Sequence, residues 1–164
     1  MGTAETPSLD SVIFVTDISS PTEGFLVHSV SQNSDPTSLA TIQQTRNSNA
    51  SPELLEQYLF RGLPAYLNLP AEDLHIIIST NSGTGKAEAY FESILKPVLQ
   101  SIGLGDDSYN VMRTTSNESV KKFAVGRLLK RAQSGVEQTV ILLSGDGGIV
   151  DILNGLLGGE KLSR

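Results

Sequence analysis

The hydrophobic rhythm of the chain changes near residue 70. Beyond that point, short unbroken apolar runs alternate with longer stretches of helical period. Residues 74–78 read LHIII and residues 139–143 read TVILL. Such runs, rich in β-branched side chains, are the pattern of strands buried on both faces. In residues 109–114, Tyr109, Val111 and Arg113 alternate with Asn110, Met112 and Thr114, and the segment forms a third predicted strand. Between the first two strands, Phe91, Ile94, Leu95, Val98, Leu99 and Ile102 recur every three or four positions. This spacing predicts a helix over 86–101, kinked at Pro97 and ended by Gly103 and Gly105. Thr115 and Glu118 have the spacing of a capping box. The helix after them places Val120, Phe123, Ala124, Leu128 and Ala132 on one side and stops at Gly135. A last helix over 149–157 turns Ile149, Ile152, Leu153 and Leu156 inward, with Gly158 and Gly159 as its stop. Strand and helix therefore alternate from residue 74 onward. That order predicts an α/β fold with a mainly parallel sheet in a Rossmann-like, three-layer arrangement.

The first 70 residues follow another pattern. Residues 11–16 (SVIFVT) and 24–30 (GFLVHSV) read as the two strands of a hairpin. Residues 31–51 are crowded with Ser, Thr, Asn and Gln and predict a mobile polar loop. A short helix over 52–59 follows, with Ser51 as its cap and Pro52 in the first turn. The expected division is an N-terminal extension, 1–70, packed on a main domain, 71–164.

Composition narrows the chemistry. The 164 residues include no cysteine, which excludes a disulfide framework, a thiolate nucleophile and a cysteine zinc site from this sequence. His28 and His75 are far apart and read as strand residues rather than metal ligands. The formal charge of −6 argues against a nucleic-acid partner. The basic residues between Lys121 and Arg131 read as a solvated helix face. No apolar run approaches the ~20 residues of a membrane-spanning helix, and no secretory leader pattern opens the chain.

Two glycine-rich segments follow predicted strands. Ser82, Gly83, Thr84, Gly85 and Lys86 follow the first; Ser144, Gly145, Asp146, Gly147 and Gly148 follow the last. In parallel sheets ligands sit beyond the C-terminal ends of the strands, where both segments fall. Glycine lets a ligand approach the backbone, and amides at a strand-to-helix turn suit phosphate oxygens. Neither segment has the spacing of a P-loop or of a dinucleotide fingerprint. Taken alone, each segment also fits a simple turn.

The run from Leu142 to Leu156 resembles the hallmark of the diacylglycerol kinase, sphingosine kinase and related lipid kinase family. That family carries Gly-Gly-Asp-Gly-Thr followed by a glutamate and then Asn-Gly-Leu. Gly145, Asp146 and Gly147 match the first part, and Asn154, Gly155 and Leu156 match the tail. Ser82 and Gly83 resemble the family's Asn-Pro-any-Ser-Gly element. The resemblance covers roughly residues 72–157 and implies the first domain of a diacylglycerol kinase-like enzyme. It further implies phosphoryl transfer from ATP, with magnesium, to a lipid hydroxyl at a membrane surface. It implies a cytoplasmic protein peripheral to membranes. On this basis Ser82, Gly83, Thr84, Gly85 and Lys86, with Ser144, Gly145, Asp146, Gly147 and Gly148, hold the nucleotide. Asp146 and Asp151 are the magnesium candidates. The general base is expected in a second, lipid-binding domain for which 164 residues leave no room.

Several positions depart from the family pattern. Ser144 replaces the first glycine, Gly148 the threonine, Asp151 the glutamate, and Ser79 and Thr80 the Asn-Pro pair. Two other readings stay open on these grounds: a noncatalytic nucleotide-binding or regulatory domain of the same family, and a soluble small-molecule kinase of related fold, such as an NAD kinase.

Overall fold

The computed structural model describes residues 7–18, 24–31, 38–80, 85–114 and 116–157. It divides into two compact units, Met1–Gly62 with Ser93–Ile102, and Leu63–Glu92 with Gly103–Arg164.

The first unit contains strands β1 (Val12–Asp17), β2 (Phe25–Ser31) and β3 (Thr41–Asn47) in an antiparallel sheet of that order. Asp17 pairs with Phe25, so the expected hairpin is present. Strand β3 corrects the expectation of a loop over 31–51: Thr41 pairs with Ser31 and Asn47 with Phe25 in one continuous ladder. Its sequence, TIQQTRN, buries no side chain fully. The strand is therefore held mainly by backbone hydrogen bonds and cross-strand pairing, which a hydrophobicity pattern does not register. Residues 32–37 lie outside the described residues. Helix α1 (Pro52–Tyr58) begins as expected, with the Ser51 hydroxyl accepting from Leu54 N at 3.2 Å. Val12, Val15, Val27 and Leu54 form the core of this unit.

The second unit carries β4 (Leu74–Ser79), β5 (Asn110–Thr114) and β6 (Thr139–Leu143), all parallel, in the order β5-β4-β6. The three strands fall where the apolar runs place them. Leu74, Ile76, Ile77 and Ile78 have no exposed surface, so β4 is the buried central strand. Ile77 contributes to a core with Val120, Ala124, Leu128 and Ile152.

Helices connect these strands, with local departures from α geometry. Helix α2 (Ala87–Tyr90) runs into a π-helical turn, Phe91–Leu95, before α3 (Lys96–Ser101). Pro97 lacks an N–H and its ring crowds the carbonyl one turn back; the π turn sits where that conflict arises. Helix α4 (Asn117–Phe123) passes through a second π turn, Ala124–Leu128, into α5 (Leu129–Gln133). Its cap is Ser116, whose hydroxyl accepts from Ser119 N at 3.3 Å, and not the expected Thr115–Glu118 box. Thr115 lies outside the described residues.

Helix α6 (Asp146–Leu156) starts three residues before the expected 149, taking Gly147 and Gly148 into its first turn. Its inward face also differs. Ile152 is buried and Leu156 packs against the core, but Ile149 is 56% and Leu153 40% exposed. The face is set by the approach of α6 to α4. A Cβ added at Gly155 would lie 2.6 Å from Ala124 Cβ, so Gly155 points at the neighbouring helix.

Candidate functional site: the C-terminal edge of the parallel sheet

Strand order fixes the edge that can bind a ligand. From β4 the chain crosses to β5 on one side, then returns past β4 to β6 on the other. Because β4 and β6 are parallel neighbours, the segments leaving them emerge side by side from one edge. In open parallel sheets a reversal of strand order of this kind marks the edge at which ligands bind. Both glycine-rich segments leave from this edge.

Of the first segment, Ser82, Gly83 and Thr84 lie outside the described residues. Gly85 adopts φ +69°, a left-handed conformation that favours glycine. Lys86 follows as the exposed cap residue of α2, and Tyr90 N donates to its carbonyl at 2.8 Å. The helix start is tied to β5: Arg113 donates Nε and Nη2 to the Glu88 carboxylate at 2.7–3.0 Å. The Glu88 carboxylate is the first cause of the raised Arg113 pKa. The Arg113 guanidinium also lies 5.9 Å from the centre of the Phe91 ring.

The second segment is better defined. Gly145 is the cap residue of α6, with extended backbone, and as a glycine it offers no side chain to cap the first turn. Asp146 is the first helical residue; its side chain lies outside the described residues. Gly145 and Gly147 have ordinary negative φ, and an added Cβ at either would meet no atom within 4 Å. Neither packing nor backbone geometry therefore requires glycine at these positions. Gly148 differs: an added Cβ would overlap Ser144 Oγ and come within 2.9 Å of Ser144 Cβ. The Ser144 hydroxyl donates to the Gly145 carbonyl at 2.6 Å. Asp151 lies five residues into α6 and is 9% exposed. Among the described residues no group of three or more His, Cys, Asp or Glu side chains converges on a metal position.

Thr114 was not singled out by sequence. It ends β5 beside Ser79, is 1% exposed, and its hydroxyl reaches no hydrogen-bond partner. Its carbonyl accepts from both the backbone N and the hydroxyl of Thr80, at 3.1 and 3.0 Å. A buried hydroxyl without a partner costs free energy. Only its position at the end of an alternating strand hints at this in the sequence.

Three of the basic helix residues have structural partners. Arg131 Nε donates to the buried Asp73 carboxylate at 2.5 Å, and Arg127 donates to Glu72 O at 3.2 Å. Lys122 pairs with Glu118 at 3.5 Å one helical turn away. His28 and His75 are both 1% exposed, consistent with strand residues inside cores.

A parallel β5-β4-β6 sheet with crossover helices and a glycine-rich first turn on α6 defines an α/β domain of Rossmann-like kind. Residues 73–163 match the diacylglycerol kinase catalytic domain, and the chain belongs to that family. Neither the curated proteins nor the solved structures compared with it give a significant match. Membership makes the chain a member of a lipid kinase family. None of the helices in its described residues is long and apolar enough to cross a membrane.

Proposed function

We propose that this chain is the nucleotide-binding part of an ATP-dependent lipid kinase that transfers phosphate to a hydroxyl of diacylglycerol or a sphingoid base. The observation that carries the reading is the open space that an added Cβ would find at Gly145 and Gly147, at the start of α6 where it follows β6. Side chains there would fill the volume that phosphate needs, and the helix N-terminus favours negative charge. Gly85 and Lys86, at the start of α2 after β4, would contribute from the neighbouring segment, and Ser82, Gly83 and Thr84 join them in this proposal by motif alone. Ser144, Asp146 and Gly148 would contribute from the segment that follows β6. The unpartnered Thr114 hydroxyl supports a polar ligand at this edge.

Magnesium fits this site as part of a nucleotide complex rather than in a protein cage. With no cluster of three acidic or imidazole ligands among the described residues, the protein would offer one or two carboxylates, Asp146 first and Asp151 second. Magnesium commonly binds in that way, with phosphates and water completing its shell. When bound it would neutralise charge that builds on the transferred group. The work of the chain's own residues is positioning: the glycines admit the phosphates, and the α6 amides orient them. The lipid pocket and the general base would belong to a second domain, and the helices here would complete a three-layer core. The protein would act in the cytoplasm, at a membrane surface where its lipid resides.

Calorimetric titration of the 164-residue chain with magnesium ATP, beside Asp146→Ala, tests the nucleotide site. Saturable binding that the variant loses supports the reading. A folded chain that ignores millimolar ATP counts against it.

A further inference from the structure

We infer that the outer face of the helix run from α4 to α5, around Lys121, Lys122, Val125 and Gly126, docks the protein on an anionic lipid surface. The inference rests on the lipid kinase reading and deepens it by naming the face that meets the membrane.

Charge singles out this face. Residues 117–133 carry Lys121, Lys122, Arg127, Lys130 and Arg131 against Glu118 alone, in a chain of formal charge −6. Cations are thus gathered on one helix run of an otherwise acidic protein. The structure sorts them into two groups. Arg127 and Arg131 are tied to Glu72 and Asp73, just before β4. Lys121, Lys122 and Lys130 are exposed. Lys122 meets Glu118 at 3.5 Å, but the two side chains are 80% and 83% exposed, and such a pair contributes little. Lysine is a flexible point charge, whereas arginine favours fixed, planar partners. The arginines therefore serve the fold, and the exposed lysines suit a fluid layer of headgroups better than the fixed carboxylates of a protein partner.

Shape agrees with charge. Glu118, Lys121, Lys122, Val125 and Gly126 line an open hollow of about 360 Å³ whose walls are mostly carbon. Val125 is 42% exposed, and the aliphatic stems of the lysines add apolar surface. Gly126 leaves the hollow open. It is helical, its φ is not positive, and an added Cβ would meet no atom within 4 Å. Neither packing nor backbone geometry asks for glycine there, and glycine weakens a helix. An apolar hollow ringed by lysines matches a membrane interface: the ammonium groups meet anionic headgroups while the stems and the valine enter the apolar boundary. Helix α4 begins soon after Thr114, the last residue of β5, so the hollow lies on the half of the helix run nearer the C-terminal edge of the sheet. A membrane docked there would lie beside the edge proposed to hold the nucleotide.

The test is co-sedimentation of the whole chain with phosphatidylcholine vesicles, made with and without phosphatidylserine. Binding to the anionic vesicles alone is expected, and high salt should release it. Lys121→Gln/Lys122→Gln should weaken binding about tenfold or more. Val125→Ser leaves the charge unchanged and should also weaken it. Gly126→Glu puts a carboxylate into the hollow without a clash; it should abolish binding while the thermal unfolding midpoint holds or rises. A folded chain that ignores anionic vesicles would overturn the inference, as would binding that all three variants retain. Lysine-dependent binding to RNA or to an acidic peptide, with vesicles ignored, would overturn it in favour of another partner. Magnesium ATP titration of the same preparations separates this face from the nucleotide site. Variants that lose vesicles and keep ATP affinity are the expected result. Variant-sensitive vesicle binding by a chain that ignores ATP would remove the nucleotide reading and leave the docking face standing.

Discussion

Gly155 of α6 and Ala124 of the neighbouring π turn approach so closely that no side chain fits between them. A Cβ at 155 would lie 2.6 Å from Ala124 Cβ and 3.3 Å from the Lys121 carbonyl. The family's Asn-Gly-Leu tail thus has a packing reason here, independent of any ligand. Gly155→Ala gains up to about 1 kcal/mol of helix propensity. The overlap costs about 1–3 kcal/mol and should prevail, because one contact is backbone and the other a Cβ that cannot rotate away. A lower denaturant midpoint is expected, and Ala124→Gly in the same chain should restore much of it.

At Gly147 the balance is reversed. The position is helical and open, so Gly147→Ala should leave the unfolding midpoint unchanged or raise it by roughly 0.5–1 kcal/mol equivalent. The same methyl would stand in the phosphate approach, and ATP titration should show clearly weaker binding. Equal affinity in the alanine variant would remove ligand access as the reason for glycine at 147.

The Thr114 hydroxyl is buried without a partner. Thr114→Val removes that hydroxyl at almost constant shape, so stability should hold or rise by about 1 kcal/mol. If the hydroxyl serves the ligand, ATP affinity should fall in the same variant. Thermal unfolding and titration on one preparation separate the two effects.

The buried histidines predict an acid limit. His75 is 1% exposed, neither ring nitrogen reaches a hydrogen-bond partner, and its ring meets Phe123 edge-on at 5.3 Å. Burial first, then the Arg127 charge, holds its pKa below the ordinary 6.5; Arg131 adds to this, while Asp73 and Gln138 oppose it. His28, stacked on Phe14 at 4.2 Å, is lowered by burial as well. A lowered folded-state pKa means that the unfolded chain binds the proton more readily. The stability is fully present above the unfolded pKa and is lost as pH falls through the folded one. The unfolding midpoint should therefore start to drop as pH falls below about 6.5 and keep dropping until the folded-state rings take up protons. His75→Phe should flatten that slope, and an unchanged slope would show that its protonation does not contribute.

The legible part of the fold was the part with a strong local signal. LHIII needed no context to be read as a buried strand, and Ser51-Pro52 marked the start of α1; TVILL gave a strand, but β6, at the end of the β5-β4-β6 order, is only partly buried along its length. Strand β3 was missed because its polar residues bury little, and its pairing partner lies elsewhere in the sequence. The inward face of α6 was misjudged for a related reason. Ile149 and Leu153 have the right period, but Gly155 and Ala124 set the rotation of the helix through a contact between distant residues. The first glycine-rich segment was read by motif alone, and Ser82, Gly83 and Thr84 lie outside the described residues.

The sequence by itself determined the alternation of strands and helices, the family, and the two glycine-rich segments, because each is written in local spacing and side-chain type. Only the tertiary structure decided which glycines serve packing and which leave space for a ligand. Gly148 yields to Ser144 and Gly155 to Ala124, whereas a Cβ added at Gly145 or Gly147 would meet nothing within 4 Å. A glycine carries no side chain from which its role could be read. Its purpose depends on the atoms around it, and those are brought together only when the sheet and helices pack.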